Sequence, residues 1–184
     1  MGERGAAAGE RAVGFPPLEP RNARILILGS LPGAESIRKG EYYGHPRNAF
    51  WGIMGEAFGA GPEKPYAERL RVLAERGVML WDVLRAARRR GSLDADIRQE
   101  EAEANDVAGL AARHPELEKV LFNGAAAEAL FRRHVLRGAE DAFAGVELAR
   151  LPSTSPANAG TTAAEKSAIW RAALAGVAEE KDGP

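Results

Sequence analysis

The sequence predicts an α/β fold: a three-layer αβα sandwich around a four-stranded parallel sheet. Three observations lead there. Four short runs rich in aliphatic residues recur, at 24–28, 78–81, 119–122 and 146–151. Segments with helical spacing of apolar residues separate them, and alternating strands and helices call for right-handed βαβ crossovers. The first and last runs both end in tight turns rich in Gly, Pro and Ser. In one parallel sheet both turns leave the same edge, where open α/β sheets build their sites.

Each element has a local reason. Residues 24–28 (RILIL) are almost continuously aliphatic, as in a central strand covered on both faces. Residues 29–47 read as a loop with one helical turn after Gly33. Residues 49–58 read as a helix, with Phe50, Ile53, Met54 and Phe58 at helical spacing. Residues 65–76 read as an amphipathic helix ended by Gly77. After the strand 78–81, residues 83–92 read as a basic loop or short helix. Asn105 or Asp106 caps a helix over 105–114, and Pro115 ends it. The strand 119–122 leads through Asn123-Gly124 into a helix over 125–135. Thr161 or Thr162 caps a last helix reaching Val177. Residues 1–14 read as a disordered tail, 15–178 as a single domain, and 179–184 as a second tail.

Composition narrows the function. The chain has 184 residues, enough for one domain with a substantial core. It contains no cysteine, which excludes disulfides, iron–sulfur clusters and thiolate zinc sites and suits a reducing cytoplasm. Its 3 His are scattered and give no support to a metal centre. The formal net charge of -1 provides no global basic field, so a nucleic acid would have to meet a local patch. No apolar run approaches the roughly 20 residues that cross a bilayer. The first residues lack the apolar stretch of a signal peptide.

Two motifs carry a family resemblance. The first strand ends in Gly29-Ser30-Leu31-Pro32-Gly33, followed by Tyr43-Gly44-His45-Pro46-Arg47-Asn48-Ala49-Phe50-Trp51. The last strand ends in Leu151-Pro152-Ser153-Thr154-Ser155-Pro156. At these residues the chain resembles the uracil-DNA glycosylase superfamily, over roughly residues 20–175. The mismatch-specific branch has a Gly-x-Asn-Pro-Gly turn, then an aromatic, a small residue and His-Pro-x-Asn-x-Phe-Trp. The acid or amide that handles water in the first motif falls on Leu31 here, and the His or Asn before Pro-Ser falls on Leu151. The hypoxanthine-DNA glycosylase branch shares this loss, with Gly-Ser-x-Pro-Gly and Pro-Ser-Thr-Ser-Pro turns, and is the nearest relative by this reading.

The resemblance implies a monofunctional DNA glycosylase that flips a deaminated base, hypoxanthine first, out of DNA and hydrolyses its N-glycosidic bond. Asn48 and Asp82 are the expected catalytic residues. Asn48 orients water or bonds the base; read locally, it caps the helix that follows. Asp82 falls where the best-known uracil enzymes carry an Asn that reads the base edge; read locally, it is a turn residue. The base pocket is expected to draw on Gly29, Ser30, Leu31, Pro32, Gly33, Tyr43, His45, Phe50 and Asn123. Tyr43 stacks on the base, while Phe50 and Trp51 also fit a core role. His45 bonds backbone or phosphate, and Asn123-Gly124 reads by default as a β-turn. Ser153, Thr154, Ser155 and Pro156 are expected to contact DNA. Arg88 and Arg89, within the run Arg85 to Arg90, form a candidate backbone clamp or simply a solvated face.

No metal or cofactor is expected, and the partner is DNA, met by a monomer with no membrane involvement. Lys39 is the one lysine in the motif loops, so a Schiff-base lyase has little support. The alternatives are uracil removal from mismatches or single strands, a non-catalytic binder of DNA or nucleotides, and a nucleoside hydrolase.

Overall fold

The computed structural model describes residues 10–89 and 93–176. In chain order, β1 (Glu10–Val13) and β2 (Ile25–Gly29) precede three helices, α1 (Ala34–Lys39), α2 (Phe50–Phe58) and α3 (Tyr66–Glu75). Strands β3 (Val78–Asp82), β4 (Leu84–Arg89) and β5 (Glu103–Ala104) come next, then α4 (Val107–Ala112). Strand β6 (Lys119–Asn123), helix α5 (Ala125–Phe131), strand β7 (Glu147–Leu151) and helix α6 (Ala163–Leu174) complete the fold.

The predicted sheet is present. Four parallel strands lie in the order β3-β2-β6-β7. Strand β2 is buried at every position, because both its neighbours and both its faces are covered. Alternate side chains serve opposite layers. Ile25, Ile27, Val78, Leu80 and Leu121 pack with Phe50, Ile53, Met54, Leu73 and Trp170 from α2, α3 and α6. Leu26, Leu28, Met79, Val120 and Phe122 pack with Leu110, Leu130 and Phe131 from α4 and α5. The chain leaves β2 toward β3 on one side and later returns to β6 on the other. The sheet therefore reverses its strand order beside β2, which opens a crevice at the carboxyl ends of β2 and β6.

A second sheet differs from the sequence expectation. Residues 84–89, read as a basic loop or short helix, form β4, the middle strand of an antiparallel sheet ordered β1-β4-β5. Residues 10–13, read as part of a disordered tail, pair with it as β1; residues 1–9 and 177–184 lie outside the described residues. Two effects make the strand. Leu84 and Ala87 join the core beside Leu28 and Met79. Glu103 pairs with both Arg11 and Arg85, and Glu101 pairs with Arg88 at 2.9 Å, so cross-strand ion pairs relieve the crowding of arginines.

The helices largely follow their signals. Asp106 caps α4 through the Gly109 amide, 2.9 Å away. Thr162 and Glu165 form a reciprocal capping box on α6. The helix expected over 125–135 is α-helical to Phe131 and continues as a π turn over Arg132–Leu136. Among the described residues no helix is long and apolar enough to cross a membrane.

Deleting residues 1–13 should lower stability by on the order of 2 kcal/mol, since it removes a hydrogen-bonded ladder. The readout is the midpoint of urea denaturation. An unshifted midpoint would return the segment to the status of a passive tail.

Candidate active site

The crevice at the strand ends holds a cleft of about 420 Å³. Three chain segments wall it: the turn after β2, the loop before α2, and the loop after β7. Single residues from β3 (Asp82) and β6 (Asn123) form its base.

The turn after β2 is held from below. The Val83 amide donates to the Gly29 carbonyl at 2.9 Å and the Leu84 amide to the Ser30 carbonyl at 3.0 Å. A Cβ on Gly29 would run into Oδ1 of Asp82, so a larger residue there would displace that carboxylate. Arg89, only 4% exposed, reaches up from β4 and donates from Nη2 to the Pro32 carbonyl at 2.7 Å. Its Nη1 is buried with no hydrogen-bond partner.

The loop before α2 carries the aromatic wall. Tyr43 adopts φ 54, a left-handed conformation that a bulky residue takes only when its surroundings impose it. Both neighbours are pinned: the Tyr42 amide donates to Tyr66 Oη at 2.9 Å, and the Gly44 amide to Ser36 Oγ at 3.0 Å. The Tyr43 ring stacks on Phe50 with centroids 3.9 Å apart, and its hydroxyl is buried without a hydrogen-bond partner. Asn48 lines the cleft while its Oδ1 accepts from the Phe50 amide at 3.0 Å. The bond to the first amide of α2 and the cleft position coexist in this one side chain, and its amide NH₂ is left for another partner. His45 Nδ1 accepts from the Arg47 amide at 3.1 Å, so a neutral ring carries its proton on Nε2.

The loop after β7 is fixed by a reciprocal pair. Asn123 Nδ2 donates to Thr154 Oγ1 at 2.9 Å, and the Thr154 amide donates to Asn123 Oδ1 at 2.8 Å. The Thr154 carbonyl then accepts from the Ala49 amide at 3.0 Å. Gly124, at φ +97, faces Ser153 so closely that a Cβ would lie 2.9 Å from Ser153 Cβ. Lys166, buried in α6, donates to the Asn158 carbonyl at 2.7 Å and to the Ser155 carbonyl at 3.4 Å. Trp170 Nε1 holds the Pro152 carbonyl at 2.9 Å.

Three carboxylates line the cleft, Glu35, Asp82 and Asp94, and Glu35 is paired with Arg38 and Lys39. Asp82 is 4% exposed, and its Oδ2 has no hydrogen-bond partner. Burial, helped by the charge of Asp94, pushes its pKa up to about 7, although the charge of Arg89 opposes the shift. Asp94 stands at the rim and accepts from Ser30 Oγ at 2.5 Å.

Most of the expected site residues meet here. Gly29, Ser30, Leu31, Pro32, Gly33, Tyr43, His45, Asn48, Asp82, Asn123 and Ser153 to Pro156 all line the cleft. Three expectations need correction. Phe50 has no exposed surface, because Tyr43 covers it, and it supports the wall from behind. Thr154 is 1% exposed with its hydroxyl bound to Asn123, so it braces the loop and offers nothing to DNA. Asn123 keeps its expected place in the cleft, with Nδ2 and Oδ1 each bonded to Thr154. Arg88 and Arg89 do not form a clamp: Arg88 is paired with Glu101, and Arg89 is buried under the first turn. Arg90 lies outside the described residues.

Sequence reasoning missed Asp94, Leu93 and Arg47, which also line the cleft. Arg47 stood inside the recognised motif at its variable position. Asp94 and Leu93 had no signal, because only tertiary folding carries them there. Among the described residues no group of three or more His, Asp or Glu is placed to hold a metal.

The Asp82 shift has a direction in stability. The folded chain keeps this proton up to about pH 7, whereas an ordinary aspartate releases it near 3.8. The native state thus binds more protons between those values, and the contribution of Asp82 to stability falls as pH rises through that window. Asp82→Asn should flatten this part of the stability–pH curve, measured by urea unfolding from pH 4 to 8. A slope equal to that of the parent protein would mean that Asp82 is ionised in the fold.

Comparison with known proteins agrees with this geometry. Residues 16–174 match the profile of the Uracil DNA glycosylase superfamily. A Methanosarcina acetivorans protein named hypoxanthine DNA glycosylase is 43% identical over 146 residues, covering 79% of this chain and 87% of the relative. A Methanosarcina barkeri protein of the same name is 46% identical over 112 residues, covering 60% of this chain and 70% of the relative. A solution structure from Methanosarcina acetivorans, described provisionally as a uracil DNA glycosylase, has a TM-score of 0.70 and 39% identity. It covers 89% of this chain and 98% of its own. With the profile spanning both motif loops and the sheet between them, the chain belongs to the uracil-DNA glycosylase superfamily.

Proposed function

We propose that the protein is a monofunctional DNA glycosylase that removes hypoxanthine from DNA by hydrolysing its N-glycosidic bond. One observation carries this reading: the cleft has an aromatic wall and a buried aspartate at its base, while leucine occupies both positions where the resemblance to the other branches of the superfamily would put polar catalytic groups. Leu31 and Leu151 are buried, at 5% and 6% exposure. An enzyme built this way must rely on its contacts with the leaving base. A purine suits such contacts, because its ring nitrogens accept hydrogen bonds and protons. The names of the two archaeal relatives point to the same base.

The roles follow from the chemistry. Cleavage leaves an oxocarbenium-like sugar, so the site must stabilise that cation, the departing base and an attacking water. Eversion costs a few kcal/mol and is easiest at a mispair. Tyr43 would stack on the everted base, backed by Phe50. Asn48 would hold the water or the base through its free NH₂. Asp82 would read the base edge. Ser153 and Ser155, with Pro156 beside them, would meet the phosphate backbone in place of the arginine clamp. Arg47 would join them: its guanidinium is exposed at the cleft mouth and has no acidic partner among the described residues. Among the described residues no lysine lines the cleft, and Lys39 is bonded to the Gly44 carbonyl, which speaks against Schiff-base chemistry. On this reading the protein works as a monomer in the cytoplasm, with DNA as its partner and neither metal nor cofactor.

Oligonucleotides carrying uracil, hypoxanthine, xanthine or ethenoadenine, scored for free base, test the reading. Hypoxanthine should be released fastest. Faster release of uracil would favour a uracil enzyme, and binding without release a non-catalytic protein. Asn48→Ala should slow release by on the order of a hundredfold or more with an unchanged near-ultraviolet circular dichroism spectrum. Near-normal turnover would remove Asn48 from the chemistry. Arg47→Ala should weaken DNA binding at every sequence and reduce the log–log salt slope by about 1. An unaltered slope would assign Arg47 to solvent.

A further inference from the structure

Asp82 and Asp94 line the cleft with Glu35, which is paired with Arg38 and Lys39, and the one buried guanidinium near Asp82 and Asp94 is that of Arg89, under the turn after β2. One cation cannot neutralise two anions in a site shielded from water, so the pair tends to retain a proton. Hydrogen bonding indicates which member keeps it. Asp94 accepts the Ser30 hydroxyl at 2.5 Å, the short contact of an ionised acceptor. Asp94 is also open to water at the rim, while Asp82 is almost wholly buried with Oδ2 unpartnered. Loss of water around its carboxyl raises Asp94 as well, and the Ser30 bond and the Arg89 charge offset that rise only in part. The other ionisable groups near Asp82 are the hydroxyls of Tyr42, Tyr43 and Tyr66, and none of them stabilises an anion there by charge.

We propose that Asp82, buried at the base of the cleft with Oδ2 unpartnered and Asp94 beside it, is the acid that delivers a proton to N7 of the everted purine. The inference rests on the hypoxanthine reading above and adds the proton donor. In the step, the Asp82 proton moves to N7 as the C1′–N9 bond breaks, and the bonding electron pair stays with the base. Hypoxanthine leaves neutral, protonated at N7. Water adds to the cationic C1′, and its surplus proton returns to the Asp82 carboxylate. The products are free base and an abasic sugar, with the enzyme unchanged. Asp94 is a positioning residue in this scheme, since it acts through Asp82. The arrangement also accounts for Leu31: a departing base that is already protonated needs less help from a carboxylate at the water.

The geometry has a further consequence for selectivity. An ionised Asp82 would repel the N7 and O6 lone pairs of a purine, whereas the protonated form donates to them. Uracil has no N7, so it could not use this proton in the same way.

The test is single-turnover base release from oligonucleotides holding deoxyinosine or 7-deazadeoxyinosine, for the parent chain, Asp82→Asn and Asp94→Asn, between pH 5.5 and 8.5. With deoxyinosine the parent rate should fall about tenfold per pH unit above roughly pH 7, as the acid form is lost. Asp82→Asn should be on the order of a hundredfold slower and flat with pH. Asp94→Asn should move the descending limb to lower pH, because it removes a charge that adds to burial in keeping the proton on Asp82. With 7-deazadeoxyinosine the parent and Asp82→Asn should be equally slow. If Asp82→Asn keeps the full preference for deoxyinosine over the 7-deaza analogue, the proton comes from elsewhere and the proposal fails. An unmoved limb in Asp94→Asn overturns it as well, and does not depend on Asp82→Asn folding. A parent protein that binds deoxyinosine DNA and releases no base refutes the functional reading itself.

Discussion

Thr154 joins three stretches of chain that are far apart in sequence. Its hydroxyl and amide bind both ends of the Asn123 side chain at the tip of β6, and its carbonyl receives the first amide before α2. The loop after β7, the base of the cleft and the loop carrying Asn48 are thereby set in one register. Polar groups buried this deeply are costly unless every one is satisfied, and here they satisfy one another. Such a junction has few alternative arrangements, which is what a site needs if its groups must meet a substrate within a fraction of an ångström. The tight Gly124–Ser153 approach is tolerated because this frame imposes it, and the Tyr43 backbone strain because the amides on either side are pinned to Tyr66 and Ser36.

Burial and pairing, more than net charge, organise the electrostatics. The arginines that look like a DNA-binding patch in sequence are spent within the protein: Arg85 and Arg88 on Glu103 and Glu101, Arg89 beneath the first turn. The antiparallel sheet therefore supports the site instead of contacting a ligand, since β4 begins at the residue after Val83 and supports the turn after β2. Inside the cleft, exclusion of water raises the proton affinity of Asp82. A carboxyl group with a pKa near neutrality can exchange a proton with a substrate, as one at its ordinary value cannot.

The sequence made the parallel sheet legible because its strands are short, aliphatic and separated by well-signalled helices. The runs at 24–28, 78–81, 119–122 and 146–151 differ from β2, β3, β6 and β7 by one residue at either end. The second sheet was not legible. Residues 84–89 carry three arginines, and their strand conformation depends on a core contact through Leu84 and Ala87 and on glutamates supplied from residues 101 and 103. The site shows the same division. Tyr43, Asn48, Asp82 and Ser153 were legible as a motif and do share one cleft. The inward turn of Asn123 and Thr154 toward each other, the covering of Phe50 and the arrival of Asp94 are all products of tertiary packing. Asn48 is a mixed case: Ala49 and not Asn48 stands at the N-cap of α2, yet the Asn48 side chain bonds the first amide of that helix and also lines the cleft.

The central claim is that this cleft receives an everted purine nucleotide between Tyr43 and Asp82. A crystal structure of the protein with duplex DNA carrying 2′-fluoroarabino-deoxyinosine, a sugar that resists hydrolysis, tests it most directly. The account predicts the base outside the helix, its plane on the Tyr43 ring, its N7 within hydrogen-bond distance of the Asp82 carboxyl, and the flanking phosphates against Ser153, Ser155 and Arg47. A complex with the hypoxanthine still stacked in the duplex, or everted onto a surface away from Asp82, would contradict it.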